Sequence, residues 1–253
     1  MQFQNIQDVV SQLGQIVQQC ASTQNRAGYF AALYKRMTAA VKDAITANQF
    51  EDGARMEQLD MVFGRRYVDA YMAYYAHTNC STSWQTAFSS TTDNNLIVLQ
   101  HLLLGINTHI NLDLAIAAAT VAPGDKIYAL QKDFYNINNI ISSLLNDVQE
   151  CLCEVWQPMR LVTKIVNGRQ DAVLNFSIDK ARTTSWANAV MLANMNEGQR
   201  NIYINEMDKL VNRVAVKIKS PGFGTGLLLR VIRATEFDDV ARTIKLIDTT
   251  VVC

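Results

Sequence analysis

Apolar residues recur at three- and four-residue intervals along most of this chain, and only three prolines, Pro123, Pro158 and Pro221, interrupt them in 253 residues. A helix repeats every 3.6 residues and a strand every two, so the spacing predicts helices from end to end. One short β-branched run, 214–218, does not make a sheet. The expected fold is all-α: a single-domain irregular helical bundle over 1–253, built from about six to eight helices. With 49% hydrophobic residues, the chain has enough apolar side chains for a large core.

The spacing predicts a first amphipathic helix over 6–20. A second, capped by Ser22 or Asn25, runs to 48 with Tyr29, Leu33, Met37, Val41 and Ile45 on one stripe. Gly53 opens a third through 77, rich in aromatics at Phe63, Tyr67, Tyr71, Tyr74 and Tyr75. Residues 79–92, with Trp84 and Phe88, read as turn-like, and Asp93 or Asn94 as the start of a largely apolar helix reaching 120. The Val121-Ala122-Pro123-Gly124-Asp125 run breaks the pattern. Helices then follow over 126–167, bent near Pro158, over 172–194 and over 197–219. Residues 220–226 form a connection, and the last helix covers 227–247. That connection is glycine-rich but lacks Gly-Lys-Ser/Thr and a preceding strand, so it reads as a helix junction rather than a phosphate loop.

Lys plus Arg and Asp plus Glu both number 23, so the formal net charge is zero and no long-range attraction to nucleic acid or an anionic membrane is expected. Only 18% of residues are charged, which favours self-association, so a homo-oligomer is expected. Five scattered cysteines, Cys20, Cys80, Cys151, Cys153 and Cys253, fit free thiols better than a disulfide framework. The first residues lack the basic and apolar regions of a signal peptide, and no uninterrupted apolar stretch reaches 18 residues, so a cytoplasmic protein is expected.

Chemistry concentrates in one stretch. Two of the three histidines lie within Gln100-His101-Leu102-Leu103-Leu104-Gly105-Ile106-Asn107-Thr108-His109-Ile110-Asn111-Leu112-Asp113-Leu114. His109 and Asp113, four apart, share one side of a helix. His101 lies two turns earlier, and Gly105 between them leaves room for another helix or a ligand. Asp69 and His77 on the preceding helix can approach the same place if that helix packs antiparallel, and Asp133 on the next helix is a further candidate. Imidazole and carboxylate donors suit zinc, with iron or manganese as alternatives.

The stretch from His101 to Leu114 resembles the signature of an uncharacterised, predominantly helical bacterial family, His-Leu-Leu-Leu-Gly-Ile-Asn-x-His-Ile-Asn-x-Asp-Leu. It is more distantly similar to helical zinc phospholipases and nucleases, in which His-x-x-x-Asp pairs help bind metal. The combined expectation is a metal-dependent hydrolase of an ester or phosphoester. His101, His109, Asp113 and His77 would hold the ion, Asp69 or Asp133 would orient water or take a proton, and Asn107 and Asn111 would orient the ligands. The alternatives are a small-molecule-binding or interaction protein, or a metal-free enzyme using His109 and Asp113 as an acid/base pair. Tyr67, Tyr71, Tyr74, Trp84 and Trp186 are expected to pack helices.

Overall fold

A helix with apolar side chains all round needs neighbours on every side. The segment Val98–Val121 is long and apolar enough to cross a membrane by length and composition, yet its most apolar window is 94% buried inside the protein. In the computed structural model, which describes residues 3–137, 140 and 178–249, this segment is the axis of an all-helical fold, and the described residues contain no strand.

Helices α1 (Ile6–Ser22) and α2 (Ala27–Thr46) pack as a pair, and α3 (Gly53–Tyr75) lies against both. The short α4 (Thr82–Ser89) precedes the axial segment, which consists of α5 (Val98–Thr108), a π turn at His109–Asp113 and α6 (Leu114–Val121). After Pro123-Gly124 comes α7 (126–137), and then α8 (Ile178–Ala193), packed on α6 and the π turn. Helix α9 (Glu197–Lys219) covers α5 and α4. The chain continues through α10 (Phe223–Arg233) and α11 (Val240–Thr249), the latter returning to α1 and α2.

Local chemistry sets these boundaries. Asn5, Asp52 and Ser81 cap α1, α3 and α4 by accepting main-chain N–H groups, and Asn196 and Gln199 form a reciprocal capping box on α9. Residues 79–92, expected as a turn, contain α4 because their polar residues cap a helix rather than replace one. Ser81 accepts the Trp84 N–H, while buried Asp208 of α9 accepts the N–H groups of Thr82 and Ser83 at 2.6 and 3.0 Å. The axial helix starts at Val98 rather than Asp93, where the Glu236 carboxyl accepts the Val98 N–H at 3.0 Å. The single terminal helix expected over 227–247 is two helices, because Asp239 accepts the Arg242 N–H at 2.9 Å and starts a new one. Phe223 to Gly226, expected in the connection, already belongs to α10. The expected helix beyond 137, the bend at Pro158, and Cys151, Cys153 and Cys253 lie outside the described residues; Cys20 and Cys80 are free thiols.

Gly105 brings α2 onto the axis, since a Cβ there would overlap the ring of Phe30. The room expected at this glycine is thus filled by a neighbouring helix. A Gly→Ala change inside a helix ordinarily gains up to about 1 kcal/mol. Here Gly105→Ala is expected to destabilise by roughly 1–3 kcal/mol through overpacking, measured by urea unfolding.

Candidate functional site

The axial helix is not regular where its polar residues fall. At His109–Asp113 it widens into one π turn, and the Leu114 N–H bonds to the carbonyl of His109. Such turns insert an extra residue and shift the phase of the side chains that follow, and they recur at functional sites. Both ends of this turn, His109 and Asp113, are polar and face inward, at 2% and 1% exposure.

Asp113 accepts three hydrogen bonds. Arg66 Nε of α3 donates to Oδ1 at 2.8 Å, while Trp84 Nε1 of α4, at 2.8 Å, and His109 Nδ1, at 3.2 Å, both meet Oδ2. Burial works against the charge of Asp113, but the Arg66 guanidinium and the bonds from His109 and Trp84 outweigh it and hold the carboxyl below its ordinary range. His109 is shifted down as well, chiefly by burial, with Asp113 opposing. At neutral pH the pair is therefore an ionised carboxylate and a neutral imidazole. An ionised carboxylate only accepts, so the imidazole proton is on Nδ1 and Nε2 carries a lone pair. That Nε2 is buried and has no hydrogen-bond partner.

Aromatic rings fix the imidazole in place. Phe63 stacks on it at 3.6 Å between centroids and 8° between planes, and Tyr34 meets it edge-on at 4.3 Å. Phe30, held over Gly105, adds a second edge contact at 5.6 Å.

His109 lines a cavity of about 50 Å³ between α2, α3, α5 and α8, with walls that are mostly aliphatic and aromatic. Four further polar residues line it: Tyr34, Thr38, Asp60 and Arg182. Burial raises the Tyr34 hydroxyl far above its ordinary value, with Thr38 opposing, so it stays protonated. Burial also lifts Asp60 to about 7, against the pull of Arg182, and Asp60 Oδ2 is unpartnered. Arg182, 1% exposed, lies over the Phe134 ring and donates to the Phe134 carbonyl at 2.5 Å; burial lowers it to about 10, so it is charged at neutral pH. Sequence reasoning did not single out Tyr34, Asp60, Arg182 or Arg66, and it gave Trp84 only a packing role. The available signal was charge on an apolar stripe. Asp60 falls in register with Met56, Phe63 and Tyr67, and Arg182 with Ile178, Ser185 and Ala189.

The remaining predicted site residues lie elsewhere. His101 does not share this cavity. It lines a separate small one with Arg26, Tyr29, Arg233 and Glu236, because Phe30 occupies the level of Gly105 between the two histidines. His77 is exposed at the end of α3, with φ 56°. Asp69 is exposed and paired with Arg65 at 3.2 Å. Asp133 is buried but ties down the turn before α3, accepting the N–H groups of Glu51 and Asp52 at 2.8 and 3.0 Å and Arg55 at 3.3 Å. Asn107 donates to the Val211 carbonyl, and Asn111 to Asn107 Oδ1, so both anchor α9 to the axis. Tyr67 and Tyr71 are core residues, and Trp186 packs on Phe134. Among the described residues no three His, Cys, Asp or Glu side chains are placed to share an ion, and the oxygens of Asp113 already accept from three donors. The predicted ligand set does not come together as a metal site.

The raised Asp60 carboxyl has a measurable consequence. It keeps its proton in the fold up to about pH 7 but releases it near 3.8 when unfolded. The unfolded chain therefore binds fewer protons across that window, and the Asp60 contribution to stability falls as pH rises through it. Asp60→Asn removes this loss. Its stability relative to wild type, from urea unfolding at a series of pH values, is expected to increase from about pH 4 to about pH 7 and then level off.

No curated protein and no solved structure matches the chain significantly. A family model does match, over residues 6–221, which include every residue of the cavity and the whole π turn. The chain belongs to that family, described as a family of unknown function (DUF5995).

Proposed function

We propose that the cavity is the active site of an acid–base enzyme acting on a small, largely apolar molecule, and that its reaction is the hydrolysis of a carboxylic ester. One observation carries this reading: His109, which lines the cavity, has a buried, unpartnered Nε2, while its Nδ1 is held by ionised Asp113. A histidine oriented in this way is a general base. Ester hydrolysis is favoured because it needs only water besides the groups already there. His109 Nε2 takes a proton from water, and the hydroxide adds to the carbonyl carbon. The protonated His109 then returns its proton to the departing alkoxide. Asp113 stays ionised throughout and stabilises the imidazolium. The aliphatic walls favour an uncharged ester over a phosphoester, whose charge would lose its water on entry.

A second reading, a small-molecule carrier, draws support from the unpartnered Asp60 Oδ2, which would serve recognition equally well. Turnover separates the two. Purified protein assayed with p-nitrophenyl esters of graded acyl length is expected to show saturable hydrolysis. His109→Ala is expected to lower kcat by roughly 10²- to 10⁴-fold at matched folded fraction, as removal of a general base does. Stabilisation of the fold by these esters with no hydrolysis would reject the enzyme and support the carrier.

A further inference from the structure

Helix α10 breaks the usual rule for a surface helix. Its inner face buries Thr225, Leu229 and Ile232, and its outer face should then be polar. The outer face instead exposes Phe223, Leu227 and Val231, at 94%, 58% and 61%. These residues recur every four positions, so at about 100° per residue they share an arc of roughly 80°. Arg230 is exposed on the edge of the same arc.

The charge along the end of α9 and α10 is positive, although Lys209 is paired with Glu206 and Arg233 with Asp238. Between Asp208 and Glu236 the chain carries Lys209, Arg213, Lys217, Lys219, Arg230 and Arg233 and no Asp or Glu, in a protein whose formal net charge is zero. Of these, Lys209, Arg213 and Lys217 are exposed on α9, where they alternate with exposed Leu210 and Val216. A cationic segment with an exposed phenylalanine and two aliphatic side chains on one helical face matches a surface that is anionic at its boundary and apolar beneath it. A nucleic acid would pair with the cations but would leave the apolar stripe in water, and a neutral protein partner would cover the stripe but not the charge.

We propose that α10, together with the basic end of α9, docks on an anionic lipid surface. Phe223, Leu227 and Val231 enter the headgroup boundary, and Lys217, Lys219 and Arg230 meet the phosphates. No described segment spans the bilayer in this arrangement, and it is independent of what the cavity does.

The test is cosedimentation of the full chain with vesicles of phosphatidylcholine alone and of equal parts phosphatidylcholine and phosphatidylglycerol. Binding is expected to the mixed vesicles only, and to weaken as salt is raised. Phe223→Ser combined with Leu227→Ser changes exposed positions and leaves the core intact; it is expected to lower partitioning at least about tenfold, since two apolar side chains no longer enter the boundary. Lys217→Glu with Arg230→Glu is expected to abolish the preference for anionic lipid. No binding of the wild-type chain to mixed vesicles would overturn the proposal. So would binding untouched by either double substitution, or selective binding of single- or double-stranded nucleic acid in place of vesicles.

Discussion

A carboxylate at 1% exposure must find donors inside the protein, and the requirement of Asp113 organises the centre of this fold. Its three donors come from three different elements: Arg66 from α3, Trp84 from α4 and His109 from its own turn. The ties reach further. Trp84 is held because Asp208 of α9 captures the first N–H groups of α4, so α3, α4, α9 and the axial helix are cross-linked by polar bonds in an otherwise apolar core. Nonpolar packing alone tolerates small slips of one helix past another. A network of this kind does not, because each slip leaves a buried charge short of a donor.

The same network divides the site into a satisfied side and an unsatisfied one. Towards α3 and α4, the polar atoms around Asp113 are paired. On the cavity side, His109 Nε2 and Asp60 Oδ2 belong to lining residues and have no partners. Each unpaired buried group costs stability, typically about 1–3 kcal/mol, so two around one cavity are a burden the fold carries locally. Such groups are what a ligand can satisfy. Burial also moves the two titratable members in opposite directions, His109 down and Asp60 up, which places a base and a protonated acid on one wall near neutral pH.

Much of the architecture was legible in the residues. The helical spacing, the break at Pro123-Gly124 and the limits of α9 follow from periodicity and capping, which are local. The His109–Asp113 pair was legible for the same reason, since residues four apart on a helix face one way whatever surrounds them. Where local signals misled, the cause was polar residues at helix ends: those around Ser81 suggested a turn, whereas Ser81 and Asp208 use them to start α4.

Tertiary structure decided the rest. That His101 and His109 part company depends on the ring of Phe30 filling the gap at Gly105, and nothing in the axial helix announces which neighbour will lie there. Asp133 and Asp69 looked alike as carboxylates, yet packing buried one against the turn before α3 and left the other in water beside Arg65. Asp60 and Arg182 are 122 residues apart and meet at one cavity because α3 and α8 both pack on α6 and the π turn. Sequence by itself determined the helices and the one polar pair a single helix can encode. Which side chains join that pair, which are shielded from water and which are left without a partner depend on contacts between distant segments, and those exist only in the folded chain.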